Sequence, residues 1–86
     1  MVDVLYKVIK RVIEPKYPWV KKYNWVTVYF GAKDYYKLEV YLDNTTSEKV
    51  TIGEIQDLEK DVMMLFKLIG PPDGVYFDTV DIRHED

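Results

Sequence analysis

Four aromatic side chains at odd-numbered positions, Trp25, Tyr29, Tyr35 and Tyr41, with Lys37 among them, are the residues of this chain best suited to binding. Side chains two residues apart share a face of an extended strand. A row of rings around a cation suits two kinds of partner. At a protein interface, tyrosine and tryptophan carry much of the binding energy. On a single-stranded nucleic acid, rings stack on unpaired bases while lysines hold phosphates. Trp19, Lys21 and Lys22, just upstream, mix the same residue types.

Other chemistry is poorly provided for. There is no cysteine, which excludes a disulfide scaffold, thiolate metal sites and cysteine nucleophiles. The single histidine, His84, could pair with Asp81 or Glu85, yet one terminal histidine does not make a metal site, and the lone Ser47 has no base beside it. Asp34 and Glu39 with Lys37 loosely suggest a nuclease-like set, without a second carboxylate in register. Glu54, Asp57 and Asp61 fall one helical turn apart and suit solubility and the positive end of a helix better than a divalent cation. Thr51-Ile52-Gly53-Glu54 lacks the second glycine of a phosphate clamp. The acidic stretch from Asp43 to Glu48 lacks the glycine and the alternating carboxylates of a calcium loop. Asn44-Thr45-Thr46 matches a glycosylation sequon and is read as chance. No catalytic residue, metal site or cofactor is expected, and the chain reads as a non-enzymatic binding protein.

The elements that must carry these residues follow from periodicity. Residues 24–43 alternate on both sides of Gly31-Ala32-Lys33-Asp34, which predicts a β-hairpin. Val26, Val28, Phe30, Tyr36, Leu38, Val40 and Leu42 are expected to point inward. Trp25, Thr27, Tyr29, Tyr35, Lys37, Glu39 and Tyr41 are expected to point outward. A first helix is expected over Val4–Ile13, capped by Asp3, with Leu5, Val8, Ile9, Val12 and Ile13 apolar, and stopped by Pro15. Tyr17 and Trp19 flank Pro18 in a connector, and at least one of the two rings is expected to cover an edge of the core.

A second helix is expected over Ile52–Ile69, begun by a Thr51/Glu54 capping box and ended by Gly70 and Pro71-Pro72. Its apolar row is Ile55, Leu58, Val62, Leu65 and Ile69, widened by Met63 and Phe66. In the last strand, Val75–Arg83, the apolar pairs Val75/Phe77 and Val80/Ile82 differ in parity. A bulge near Asp78-Thr79 would bring both to the core. His84-Glu85-Asp86 reads as a tail. The order α-β-β-α-β predicts one two-layer α+β domain over residues 1–86, an antiparallel hairpin and a C-terminal strand packed against two helices.

Eighty-six residues, 48% hydrophobic and 31% charged, describe a small globular chain. No apolar run reaches the length of a membrane span, and the opening residues carry no secretory signal, so a cytoplasmic location is expected. Scarce amides with many Lys, Glu, Tyr and Val hint at a thermophilic source. Charge is uneven: residues 1–37 hold eight Lys/Arg against three Asp/Glu, residues 38–86 four against twelve. The leading expectation is self-association or docking on a larger protein assembly through the outer hairpin face. Single-stranded nucleic-acid binding through the rings and lysines is the alternative, opposed by the acidic C-terminal half. A further alternative is an acidic inhibitor that mimics nucleic acid, of viral or mobile-element origin, using Glu54, Asp57, Asp61, Asp78, Asp81, Glu85 and Asp86.

Overall fold

A computed structural model describes residues 2–43 and 48–84. Its elements are α1 (Val2–Val8), a π-helical segment (Ile9–Ile13), β1 (Lys22–Phe30), β2 (Lys33–Leu42), α2 (Ile52–Ile69) and β3 (Val75–His84). The fold is α+β: a three-stranded mixed sheet in the order β1-β2-β3, with its helices packed on one face. The sequon and most of the polar loop after the hairpin lie outside the described residues.

The first helix begins earlier than the caps suggest, with Asp3 inside its first turn. Its buried row is Leu5, Ile9 and Ile13, continued by Tyr17, at steps of four. In an α-helix each such step overshoots a full turn by about 40°. The wider turn at Ile9–Ile13, closed by Glu14 N donating to Ile9 O at 2.8 Å, offsets that drift. Val12, expected inside, is instead 48% exposed.

α2 is as the capping residues dictate. Glu54 N donates to Thr51 Oγ1 at 3.2 Å, although the Glu54 carboxylate meets the Thr51 hydroxyl rather than its backbone. Gly70, at φ 70°, closes the helix in the left-handed region that glycine adopts without strain. Leu58, Val62 and Phe66 are buried, Leu65 and Ile69 half-buried, and Met63 is exposed.

The hairpin corrects the expected facing of its first strand. The turn is two residues, Gly31-Ala32, with Gly31 at φ 67° in the first central position. Phe30 therefore stands opposite Lys33, Val28 opposite Tyr35 and Trp25 opposite Leu38. Odd-numbered residues of β1 thus share a face with even-numbered residues of β2. Tyr36, Leu38, Val40 and Leu42 point to the helices as expected, but their partners are Tyr23, Trp25 and Thr27. Val26, Val28 and Phe30 point away.

β3 runs parallel to β2, and α2 is the crossover such a pair requires. The expected bulge is present: Tyr36 pairs with Phe77 and Leu38 with Val80, so Asp78 and Thr79 together face Lys37. Val75 and Phe77 on one side of the bulge and Val80 and Ile82 on the other all reach the core. His84 is the last residue of β3 and pairs with Leu42.

The connector is fastened to α2 by one carboxylate. Asp61 Oδ2 accepts from Lys16 Nζ at 2.6 Å and from the Tyr17 hydroxyl at 2.5 Å. The Lys16 bond, then the Tyr17 bond, hold the Asp61 carboxyl below its ordinary range, while burial and the Asp61 bond push the Tyr17 hydroxyl up. A depressed carboxyl contributes stability above its unfolded pKa, near 3.9 for aspartate, and loses it as pH falls through the folded value. Urea midpoints measured between pH 7 and pH 3 should fall steeply for the wild-type chain and less for Asp61→Asn. Equal slopes would show that this contact carries no acid sensitivity.

Candidate functional site: the outer sheet face

The sheet face away from the helices divides into two regions. Near the open ends of the hairpin it is polar. Glu39 Oε1 accepts from Asn24 Nδ2 and from the Tyr41 hydroxyl, both at 2.9 Å, and Arg83 Nε lies 3.5 Å from Glu39 Oε2. The Asn24 bond, followed by that of Tyr41, lowers the Glu39 carboxyl pKa. Lys37 Nζ lies 3.9 Å from both Asp78 and Asp81, and Lys22 Nζ sits 5.2 Å from the centre of the Tyr41 ring. These charges are matched within the face, so they hold the strands in register and leave little net field.

Near the Gly31-Ala32 turn the same face is apolar. Val28 is 41% exposed, Phe30 76% and Tyr76 44%, and Tyr35 stacks on Tyr76 with centroids 5.5 Å apart. Lys33 Nζ lies 5.6 Å from the Tyr76 ring centre, a cation–π contact. Val28, Phe30, Tyr35 and Asp78 line a shallow hollow between β1 and β3.

The residues singled out from the sequence separate accordingly. Tyr35, Lys37 and Tyr41 are on the outer face. Trp25 is not: it is 8% exposed, and its ring lies 6.3–6.4 Å from those of Tyr36, Phe66 and Phe77. Tyr29 shares the Trp25 side of the ribbon but nothing covers it, and it is 74% exposed. Trp19 is half-buried against the core and meets Tyr17 edge-on at 5.8 Å. Lys21 and Lys22 are exposed at the entry to β1, away from the apolar patch. Asp34 faces the helix side while Glu39 and Lys37 face outward, so the loose nuclease-like set does not assemble. No group of three His, Asp or Glu able to hold a metal occurs among the described residues.

Val28, Phe30 and Tyr76 were not selected by sequence reasoning. The available signal was the turn: a glycine followed by one residue between two alternating runs fits a two-residue loop, which fixes the parity of both strands.

The edges of the sheet differ as well. β3 has the bulge and carries Asp78, Asp81 and Arg83, the devices that discourage edge pairing. β1 has none over Asn24–Phe30: seven residues without charge or proline. Trp25 N, which points away from β2, donates to the Tyr6 hydroxyl at 2.9 Å, and that hydroxyl donates to Asn24 Oδ1 at 3.1 Å. By the alternation of an antiparallel ladder, the N–H groups of Thr27 and Tyr29 point the same way, beyond the reach of α1. Among the described residues, no helix is long and apolar enough to cross a membrane. Comparison of the chain with family models, with curated proteins and with solved structures returns no match.

Proposed function

We propose that this chain is a small non-enzymatic interaction protein that self-associates edge to edge through β1. The observation that carries the reading is the uncharged edge of β1 beside the exposed Val28, Phe30 and Tyr29. Antiparallel pairing of β1 with β1 of a second copy is isologous, so one surface serves both partners. It supplies acceptors for the outward N–H groups of Thr27 and Tyr29 and brings two copies of the Val26, Val28 and Phe30 stripe together. Contiguous apolar patches rimmed by polar groups mark interaction surfaces.

The nucleic-acid alternative is weakened by the pairing of Lys37 with Asp78 and Asp81 and by the burial of Trp25, which removes one stacking ring. The acidic-mimic alternative is weakened because Asp61 is engaged by Lys16 and Tyr17, and because Asp78 and Asp81 lie on the opposite side of the sheet from α2.

Tyr29→Pro tests the reading. Tyr29 stands opposite Asp34 with its N–H outward, so proline there leaves the β1–β2 ladder intact but deletes an edge donor. Sedimentation equilibrium should show dimerisation weakened by about tenfold or more, with the circular dichroism spectrum unchanged. Undiminished dimerisation would exclude β1 as the interface.

A further inference from the structure

Where the π-helical turn meets the start of β1 there is a cleft of about 270 Å³ that shares no residue with the apolar patch. Lys10 enters it from the π turn, Lys21 and Lys22 from the connector and β1, and Glu14 is the one carboxylate among its lining residues. Lys10 also borders an adjoining hollow with Lys7 and Arg11. Lys7, Lys10, Arg11 and Lys21 thus lie along adjoining hollows, whereas the Lys22 ammonium turns to the Tyr41 ring on the outer sheet face. Among the described residues, Lys7, Lys10, Arg11 and Lys21 form no ion pair, in contrast to Lys16, Lys37 and Arg83. Tyr23 lines the same cleft, and its buried hydroxyl has no hydrogen-bond partner among the described residues. Crowded, unneutralised ammonium groups repel one another, and an anion that enters the cleft relieves that repulsion.

We propose that this cleft binds a phosphate monoester, with Lys10, Lys21 and the Tyr23 hydroxyl around the phosphate and the organic body against Ile9 and Val20. A monoester carries about −1.5 to −2 charges at pH 7 and presents three acceptor oxygens, a better match to two lysines and a hydroxyl than a single carboxylate. The volume lies near the lower end of the range for small-molecule sites, roughly 300–1,000 Å³, so the cleft takes a small ester or a strand terminus and not a duplex. The wider turn at Ile9–Ile13 sets where Lys10 stands relative to the connector; such π turns recur at functional sites. The inference is independent of self-association, since it uses different residues.

The test is titration of the full chain with AMP, with adenosine as control, followed by amide chemical shifts. AMP should give saturable shifts at Lys10, Lys21 and Tyr23, and adenosine none. Lys10→Gln combined with Lys21→Gln should weaken AMP binding by about tenfold or more, whereas Lys33→Gln should leave it unchanged. A 5′-phosphorylated oligonucleotide and its dephosphorylated twin distinguish a strand terminus from a free ester: preference for the phosphorylated strand supports terminal recognition of the same chemistry. AMP shifts that never saturate, or that survive the double substitution, would overturn the proposal. So would equal binding of both oligonucleotides without binding of AMP. Neither readout depends on oligomeric mass, so failure here is separable from failure of the dimer.

Discussion

Trp25→Ala is expected to destabilise the chain by about 3–5 kcal/mol, the usual cost of removing a large aromatic from a core. For a domain of this size each kcal/mol shifts the melting temperature by about 4–8 °C, so a loss of about 15 °C or more should appear in thermal unfolding. The magnitude follows from position. The Trp25 indole sits among Tyr36 of β2, Phe77 of β3 and Phe66 of α2, joining both layers. Removing it leaves three rings facing a void that none of them can fill without leaving its own rotamer. Trp25→Phe should cost much less, about 1–2 kcal/mol, because a ring remains and the buried Nε1, which has no hydrogen-bond partner among the described residues, is removed. Were Trp25 on an exposed face, alanine would change stability by no more than about 0.5 kcal/mol. Equilibrium urea unfolding of the two variants separates these outcomes.

Deletion of Thr79 should be comparably damaging, by about 3–5 kcal/mol. β3 places one more residue than β2 between the Phe77–Tyr36 and Val80–Leu38 pairs. Without that residue, strict alternation turns either Val75 and Phe77 or Val80 and Ile82 toward the outer face. Each medium-sized apolar side chain moved from core to water forfeits about 1.5–3 kcal/mol. Thr79→Ala, which keeps the residue count, should cost under about 1 kcal/mol, since its hydroxyl makes only a long contact of 3.5 Å to Val80 O. Comparable losses from deletion and substitution would mean that the bulge does not set the facing of β3.

The two variants mark where the sequence was legible and where it was not. β3 could be read because its apolar residues change parity midway, and only an inserted residue reconciles Val75 and Phe77 with Val80 and Ile82. α2 could be read because Thr51, Glu54 and Gly70 bracket a single apolar row. β1 could not be read from side chains alone. In WVTVYF both parities are apolar, so hydrophobicity does not choose a face, and the choice passes to the turn. Counting Gly31-Ala32 as the whole loop puts Trp25 inside; counting four turn residues leaves the register open, and the apolar preference for Val and Phe then decides wrongly. The same ambiguity makes β1 suited to association: a strand apolar on both faces has Trp25 for the core and Val28 and Phe30 left over. The first helix was legible apart from its start, at Val2 instead of Val4, and from Val12, which the π turn at Ile9–Ile13 leaves outside the row of Leu5, Ile9 and Ile13.

Function was less legible than fold for a physical reason. The rings that suggested a binding face were selected by spacing, yet spacing gives a face only after register is known. With the register in place, the outer face retains Tyr35 and Tyr41, loses Trp25 and Tyr29, and gains Val28, Phe30 and Tyr76. Its charges are internally paired, which favours contact with another protein surface over a polyanion.

Light scattering of the wild-type chain across a concentration series tests self-association most directly. The mass should rise from the 10.3 kDa of one chain toward twice that value, whereas for Tyr29→Pro the same rise should need a concentration about tenfold or more higher. A wild-type mass of 10.3 kDa at every concentration would contradict self-association through β1.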